Sequence, residues 1–284
     1  MCRFLNYSFP LLAVFLLVAC SDSSESEPSG ATSPATAESC ELLMGWDPWE
    51  PYQFKNAAGE VTGLDVAVAE AVAAKAQCDI RFERDSWAQL LDGIVSGDID
   101  LLGGATRTPA REDHAWFTAP YRTESFVLYS RTDNLDACNQ ASSLAALVSD
   151  GWMVGTVQDY YYGDAVAAIQ ADEALADRIV DSSVSEANLD LLLDREIDAF
   201  IEDPFVAAAA IRARGLGDDI VECGIELHAG DVSFMVSKAG VTRSSFENFE
   251  AGLQELRESG ELRAIVARYR DPLGNGGRSG DAAD

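Results

Sequence analysis

The sequence contains few basic residues and only 2 histidines. Against 48 Asp and Glu residues stand 20 Lys and Arg residues, which gives a formal net charge of -28. A field of this sign repels phosphate backbones, so we expect no nucleic acid partner. The acidic residues are spread along the chain and are not gathered in one tail, which indicates a solvated acidic surface.

The sequence also lacks the short motifs of several enzyme and metal-site classes. His114 and His228 belong to no HExxH motif, and no two cysteines have the CxxC spacing of a zinc site. Gly103-Gly104 is not followed by the Gly-Lys-Ser/Thr of a phosphate loop, and no GxSxG nucleophile elbow is present. We therefore predict neither a metal site nor a cofactor, and we assign no catalytic residue.

The apolar run at residues 9–19 is too short to cross a bilayer, which needs about 20 helical residues. Arg3 precedes it, so we interpret residues 1–19 as an export signal. Leu17-Val18-Ala19-Cys20 resembles the lipobox of bacterial lipoproteins, in which cleavage precedes a cysteine that then carries lipid. We predict lipid attachment at Cys20, with acyl chains that anchor the exported protein to the cell envelope. An ordinary secretory signal, with Cys20 incidental, is the alternative.

Both ends of the predicted mature chain lack the apolar residues of a core. Residues 20–39 contain no aliphatic side chain larger than alanine, so we predict a disordered tether there. Residues 271–284 are rich in glycine, which predicts a flexible tail.

Export implies an oxidising compartment for the cysteines that remain in the folded part. These are Cys40, Cys78, Cys138 and Cys223. Four thiols allow three pairings, and free buried thiols are a further alternative. Cys40 and Cys78 each open a predicted strand of one βαβ unit, at the same end of neighbouring parallel strands. We therefore favour Cys40 with Cys78 and, by remainder, Cys138 with Cys223.

Strand and helix patterns alternate along the chain, which predicts an α/β fold with mainly parallel sheets flanked by helices. The first series has a strand at 41–46, a helix at 64–77, and a helix that opens on the capping box of Ser86 and Gln89. A second series follows the run SFVLYS and includes a helix from about Tyr160.

The stretches QLLDGIVSGDIDLLGG and NLDLLLDREIDAFIED follow the same order of helix, turn and buried strand, which predicts two lobes of similar topology. The last strand, VSFMV, and the helices after it have no third lobe to join. We therefore place lobe 1 at residues 40–125 and 231–270 and lobe 2 at 126–230. The hinge crossings then lie near 121–126 and 227–232.

Four stretches together resemble the extracellular solute-binding proteins of the polar amino acid ABC uptake type, solute-binding protein family 3. They are GWDPWEPYQFKNAAGEVTGLDVAVAEAV, SGDIDLLGGATRTPAREDHAWFTAPY, REIDAFIED and SGELRAIVARYR. The resemblance covers most of residues 40–269. It implies a two-lobed, hinged, monomeric protein that closes on an amino acid or related small amine and presents it to an ABC permease. The carboxyl ends of the strands independently point to a crevice between the lobes.

Two charged residues are the first candidates for contacting the ligand. Thr108-Pro109 is a typical N-cap and first position of a short helix, which places Arg111 on its first turn. In the family, the matching arginine binds the ligand's α-carboxylate as a fork. Asp203 follows a buried strand, and the matching family residue accepts the ligand's α-ammonium. An N-cap role for Asp203 is the alternative and is compatible with binding.

Aromatic and small residues complete the predicted site. By the resemblance, Trp49 and Trp87 line the ligand's side chain, and Thr106 and the backbone of Gly104 assist as donors and acceptors. Trp46 and Asp47 flank the same loop, where an aspartate could neutralise a basic ligand side chain. Core packing is the alternative for Trp87.

The chain departs from the family at one turn. Where a Gly-Thr or Gly-Ser turn normally binds the carboxylate, this sequence has Gln158-Asp159-Tyr160-Tyr161. An aspartate there would repel an anion that a helix end attracts. The Tyr161 hydroxyl could assist Arg111 instead, or the ligand could be more cationic than a standard zwitterion.

Two other functions remain open. The same fold occurs in periplasmic enzymes that resemble cyclohexadienyl dehydratase, in which a Glu replaces the ammonium-binding Asp and could act as a general acid. Here Asp203 keeps the residue of a binding protein, although Glu202 is adjacent, so we predict no enzyme activity. The third functional hypothesis is that the protein senses a ligand as the partner of a membrane receptor.

Overall fold

The computed structural model describes residues 40–270. The predicted signal peptide, Cys20, the tether over 20–39 and the tail over 271–284 lie outside the described residues.

The described chain alternates strands and helices as the sequence predicts. The strands are β1 Cys40–Trp46, β2 Phe54–Lys55, β3 Val61–Thr62, β4 Cys78–Arg84, β5 Leu101–Thr106, β6 Ala115–Phe117, β7 Arg122–Arg131, β8 Val154–Val157, β9 Ile179–Ser182, β10 Ala199–Glu202 and β11 Ile220–Ser237. The helices are α1 Leu64–Ala76, α2 Trp87–Ser96, α3 Pro109–Glu112, α4 Leu135–Gln140, α5 Leu144–Ser149, α6 Asp164–Ala171, α7 Ser185–Leu193, α8 Pro204–Arg214, α9 Arg243–Glu258 and α10 Glu261–Arg270.

One continuous sheet runs through the described chain in the order β4-β1-β5-β11-β7-β10-β8-β9, with β6 paired to β11. The pairs of β1 with β4 and β5 are parallel, as are the pairs of β8 with β9 and β10. The long strands β7 and β11 are antiparallel to each other and join these two parallel halves. The predicted α/β fold with two lobes is therefore confirmed, each lobe having a mainly parallel sheet flanked by helices.

The two long strands form the connection between the lobes. Strand β7 pairs with β11 from Arg122 opposite Val232 to Arg131 opposite Ile220. Beside this connection, Arg122 donates two hydrogen bonds to Asp65 of α1, from Nε at 2.8 Å and from Nη2 at 2.9 Å. Because both side chains are buried, this bidentate pair ties α1 firmly to the start of β7.

Both predicted disulfides are present. Cys40 and Cys78 are opposite each other in the register of β1 and β4 and form one bridge. Cys138 of α4 forms the other with Cys223 of β11, across 85 residues of sequence. The pairing that the strand order favoured is thus confirmed.

Two elements differ from their predicted bounds. The helix expected from about Tyr160 begins at Asp164, because the turn at Gly163 has a φ of 90°, which a glycine adopts without strain. The strand predicted as VSFMV is the end of an 18-residue strand that starts at Ile220. The earlier part of this strand contains charged residues and glycine, so an apolar pattern does not predict it. This part forms by pairing with β7.

No helix between residues 40 and 270 is long and apolar enough to cross a membrane.

Candidate functional site

Arg111 lies where the predicted helix start places it. The Thr108 hydroxyl accepts from the Arg111 backbone N–H at 3.3 Å and caps α3. The Arg111 guanidinium donates to the Thr106 carbonyl at 2.9 Å and, across to the second lobe, to the Asp159 carbonyl at 2.8 Å. Since both acceptors are neutral carbonyls, the positive charge of Arg111 still lacks a carboxylate partner within the described chain.

Aromatic rings surround this guanidinium. It lies 5.5 Å from the centre of the Trp87 ring, in a cation–π arrangement. The ring of Tyr160, from the second lobe, is roughly perpendicular to the rings of Trp87 and Trp49, at 5.6 Å and 6.0 Å between ring centres. The Tyr160 hydroxyl donates to Asp47 at 2.6 Å. One tyrosine of the second lobe therefore contacts both tryptophans that were predicted to line the ligand.

A small cavity lies at the centre of this arrangement. It is lined by Trp49, Gln53, Trp87, Gly103, Gly104, Thr106, Arg111, Glu124, Phe126, Tyr160 and Tyr161. Six of the seven predicted binding residues are in this set, and they come from both lobes. The open space is only about 20 Å³, which is room for about one water molecule. A ligand of amino acid size can enter only when Tyr160 and the second lobe move away.

Asp203, the seventh predicted residue, does not line this cavity. One of its carboxylate oxygens accepts from the backbone N–H groups of Phe205 and Val206, at 2.8 and 3.4 Å, and caps α8. The other accepts from the Tyr52 hydroxyl at 3.2 Å. Asp203 instead lines a larger open cleft of about 580 Å³ together with Tyr52, Arg122 and Glu124. The N-cap alternative thus describes its local structure.

The remaining predicted residues are placed as follows. The Gly104 N–H donates to the Tyr121 hydroxyl at 2.7 Å. Gly104 has a φ of 68°, which favours glycine, and a Cβ there would lie 2.8 Å from Arg122 Nη2. The Tyr161 hydroxyl donates to Asp164 of its own lobe at 2.9 Å.

Among the lesser candidates, Trp46 is buried against Lys55 and Arg84 and lines neither the small cavity nor the larger cleft. Asp47 is buried, accepts from Tyr160 and Gln53, and has its pKa raised to about 6 by burial. The backbone φ of Asp159 is 62°, in the left-handed region.

Four hydrogen bonds join the lobes directly around the cavity. Two are those of Arg111 to Asp159 and of Tyr160 to Asp47. In addition, the Trp49 indole donates to Glu202 at 3.0 Å, and Tyr52 donates to Asp203. The structure is therefore a closed one, in which residues of the two lobes contact each other where a ligand would lie.

Glu124 of β7 is a cavity residue that sequence reasoning missed. Its side chain is buried, and one carboxylate oxygen accepts from the Thr106 hydroxyl at 2.8 Å. The other is 3.9 Å from Arg122 Nη1. Burial raises the pKa of Glu124 to about 7. The sequence feature that could have identified Glu124 is a single acidic residue in the predicted hinge crossing, next to the apolar run SFVLYS.

Two further cavity residues have buried polar atoms that lack a partner among the described residues. These atoms are Trp87 Nε1, a donor, and Gln53 Oε1, an acceptor. Buried polar groups are usually hydrogen-bonded, so unpaired ones in a cavity indicate that something else supplies the partners. Gln53 was not predicted; an isolated backbone bridge pairs it with Trp49, and its side-chain amide donates to Asp47.

The fold and this cavity define a two-lobed binding protein of the periplasmic type. A match to the bacterial extracellular solute-binding proteins, family 3, covers residues 42–272. The chain belongs to this family.

Named relatives agree with this assignment. The chain is 30% identical over 122 residues to the arginine-binding extracellular protein ArtP of Bacillus subtilis, covering 42% of this chain and 44% of ArtP. It is 22% identical over 269 residues to a probable histidine-binding protein of Campylobacter jejuni, covering 94% and 98%. The solved structure of an ancestral arginine-binding protein bound to arginine shares the fold, with a TM-score of 0.68 at 21% identity, over 81% of this chain and 97% of that one.

Proposed function

We propose that this chain is the lipid-anchored substrate-binding component of an ABC importer, which captures a free amino acid or a related small amine by lobe closure. The proposal rests above all on Arg111, a guanidinium in an aromatic cavity between two lobes with no carboxylate partner among the described residues. A planar fork of this kind matches a carboxylate. In the bound form, the ligand's carboxylate replaces the Asp159 carbonyl on Arg111.

The charges near the cavity favour a ligand that also carries positive charge. Five buried carboxyl groups lie in or beside it: Asp47, Asp65, Glu124, Glu202 and Asp203. Arg122 neutralises Asp65, and Arg111 faces the ligand's carboxylate. The surplus of acid suits a basic amino acid or an amine. The names of the arginine- and histidine-binding relatives make these two amino acids the first probes.

Closure requires a hinge, which we propose at the crossings near 121–126 and 227–232, between lobe 1 (40–125 and 231–270) and lobe 2 (126–230). The antiparallel pair of β7 and β11 contains both crossings. A ligand that contacts Arg111 on one lobe and aromatic residues on the other stabilises the closed form. The closed monomer would then deliver its ligand to a membrane permease.

The anchor is proposed from the sequence alone, at Cys20. Membrane fractionation tests it: the wild-type chain should sediment with membranes, whereas Cys20→Ser should be released in soluble form. A Cys20→Ser protein that stays with the membranes would contradict lipidation as the means of attachment.

A thermal-shift screen tests the binding function. The protein from residue 20, with Cys20→Ser so that no lipid is attached, is screened with the twenty amino acids and with polyamines. A ligand present at 100 times its Kd should stabilise the protein by about 2.7 kcal/mol. Arg111→Gln should remove the shift, and Arg81→Gln, which changes an exposed arginine paired with Glu41, should keep it. No shift with any amino-bearing compound would refute the proposal.

The site does not favour the dehydratase alternative. Glu202, the neighbour of Asp203, is the carboxyl that this alternative would use as its acid, and burial raises its pKa to about 7. Its oxygens already accept hydrogen bonds from Trp49 and Ser185, and it does not line the cavity that contains Arg111. We therefore propose a binding protein and not an enzyme.

A further inference from the structure

We propose that Glu202 couples lobe closure to ligand contact, because its carboxylate accepts the indole N–H of Trp49 across the crevice and fixes that ring when the lobes close. This inference rests on the proposed function and names a positioning residue for it. Glu202 is the last residue of β10, in lobe 2. Trp49 belongs to the loop between β1 and β2, in lobe 1.

The side chain of Trp49 depends on this contact for its hydrogen bonding. Its indole has a single donor, Nε1. The ring is buried and lines the cavity that contains Arg111. Nε1 donates to Glu202 Oε1 at 3.0 Å, and within residues 40–270 this is its one hydrogen bond. Because a buried donor without an acceptor is costly, the closed form needs an acceptor at this place.

The other hydrogen bonds of Glu202 belong to its own lobe. Oε1 also accepts from the backbone N–H of Asp203 at 2.9 Å, and Oε2 accepts from the hydroxyl of Ser185 at the start of α7. Each oxygen of this buried carboxyl group therefore has a partner in lobe 2 without Trp49. The bond from Trp49 is an addition that forms when the lobes meet, which separates the closure contact from the local structure of β10.

A second contact joins the same loop to the same strand end. Tyr52 donates to Asp203 at 3.2 Å. The family resemblance implies that Asp203 accepts the ligand's ammonium, which would compete with Tyr52 for this carboxylate. Glu202 lines neither the cavity nor the larger cleft, so no ligand group competes for it. The bond between Trp49 and Glu202 is therefore the contact of this pair that persists when a ligand is bound.

The position of the Trp49 ring thus depends on both lobes. Within lobe 1, its ring centre lies 4.7 Å from that of Tyr52 and 5.4 Å from the guanidinium of Arg122. These contacts hold the body of the indole, and the bond to Glu202 fixes the direction of its N–H from lobe 2. Removing this acceptor should weaken ligand binding without removing any group that touches the ligand.

The test is a double-mutant cycle measured by calorimetric titration with L-arginine, L-histidine and the amino acid that raises the wild-type Tm most. Glu202→Leu should weaken binding by about tenfold, the loss expected when a buried donor has no acceptor. In Trp49→Phe, which keeps an aromatic ring but has no N–H, the same change should cost less than about threefold. Glu196→Leu, at an exposed position of lobe 2, should bind as wild type.

Two further readouts separate positioning from a structural role. Glu202→Gln, whose amide oxygen can accept from Trp49, should recover most of the affinity that Glu202→Leu loses. In the ligand-bound wild-type protein, the indole N–H resonance of Trp49, assigned by its absence in Trp49→Phe, should be protected from exchange with water. This second measurement needs no substitution at Glu202. Glu202→Leu also removes the partner of Ser185, but that loss occurs with or without Trp49 and cancels in the cycle.

The possible failures are distinguishable. If the wild-type protein binds no amino acid, the proposed function itself is refuted, and this inference with it. If wild type binds and Glu202→Leu has the affinity of Glu196→Leu, the inference is overturned while the function stands. The same conclusion follows if Glu202→Leu costs as much affinity in Trp49→Phe as in wild type, or if the Trp49 indole N–H exchanges freely in the ligand-bound protein.

Discussion

Replacing Tyr160 with alanine should open the unliganded protein. In the closed structure the Tyr160 hydroxyl donates to Asp47 at 2.6 Å, and its ring meets the edges of Trp49 and Trp87. A hydrogen bond to a charged group contributes about 1.5–3 kcal/mol, and each aromatic edge contact about 0.5–1.5 kcal/mol. Together these contacts favour closure by roughly 2.5–6 kcal/mol, so Tyr160→Ala should lower the closed-to-open ratio by at least about sixtyfold.

Small-angle scattering of ligand-free protein measures this change. The wild-type protein, refolded after removal of any co-purified ligand, should be compact, and Tyr160→Ala should have a larger radius of gyration. Tyr160→Phe keeps both ring contacts and loses only the hydrogen bond, so it should lie between them. Equal radii for wild type and Tyr160→Ala would refute the idea that this side chain holds the lobes together. A saturating amino acid ligand should reduce the radius of gyration of Tyr160→Ala, whereas the wild-type protein, which is already closed, should change little.

Three further predictions follow from the same structure. Arg111→Gln should weaken amino acid binding by about 2–5 kcal/mol in calorimetry, because it leaves the ligand's carboxylate unpaired, and Arg81→Gln should have no effect. Serine in place of both Cys138 and Cys223 should destabilise the protein by about 2–5 kcal/mol in urea unfolding, since that bridge closes 85 residues of chain. Burial raises the pKa values of three carboxyl groups near the cavity to about 6 or 7, so their protonated forms favour folding. This stabilisation of the fold is fully present below about pH 4 and is lost as the pH rises through 6–7. The Tm of the ligand-free protein should therefore fall between pH 5 and pH 8. The Tm of Glu124→Gln should fall less over the same range.

Local sequence signals predicted the elements that carry the site. Thr108-Pro109 identified the start of α3 and so the place of Arg111. The capping residue Ser86 identified the start of α2, which presents Trp87 at its first position. Strand order predicted the Cys40–Cys78 bridge. Each of these signals acts over a few residues or follows from the regular βαβ order, so no knowledge of distant contacts was needed.

The missing parts depend on contacts between distant segments. Glu124 lies on β7, opposite Gly230 of β11, in a part of β11 that precedes its apolar end. The three tyrosines after Asp159 suit a helix face as well as a loop, so their residue type does not predict where they lie. Tyr160 lines the cavity, where its ring contacts residues of the first lobe. Asp203 caps α8, accepts from Tyr52 and lines the larger cleft and not the cavity with Arg111. None of these contacts between distant segments can be predicted from the spacing of residues in the sequence.

A crystal structure of the protein with the amino acid found by the thermal-shift screen tests the central claim most directly. We expect one ligand in the cavity between Trp49 and Trp87, with its carboxylate on Arg111 and with Tyr160 displaced from its present position. Ligand density confined to the larger cleft beside Arg122, with Arg111 still bonded to the Asp159 carbonyl, would contradict it.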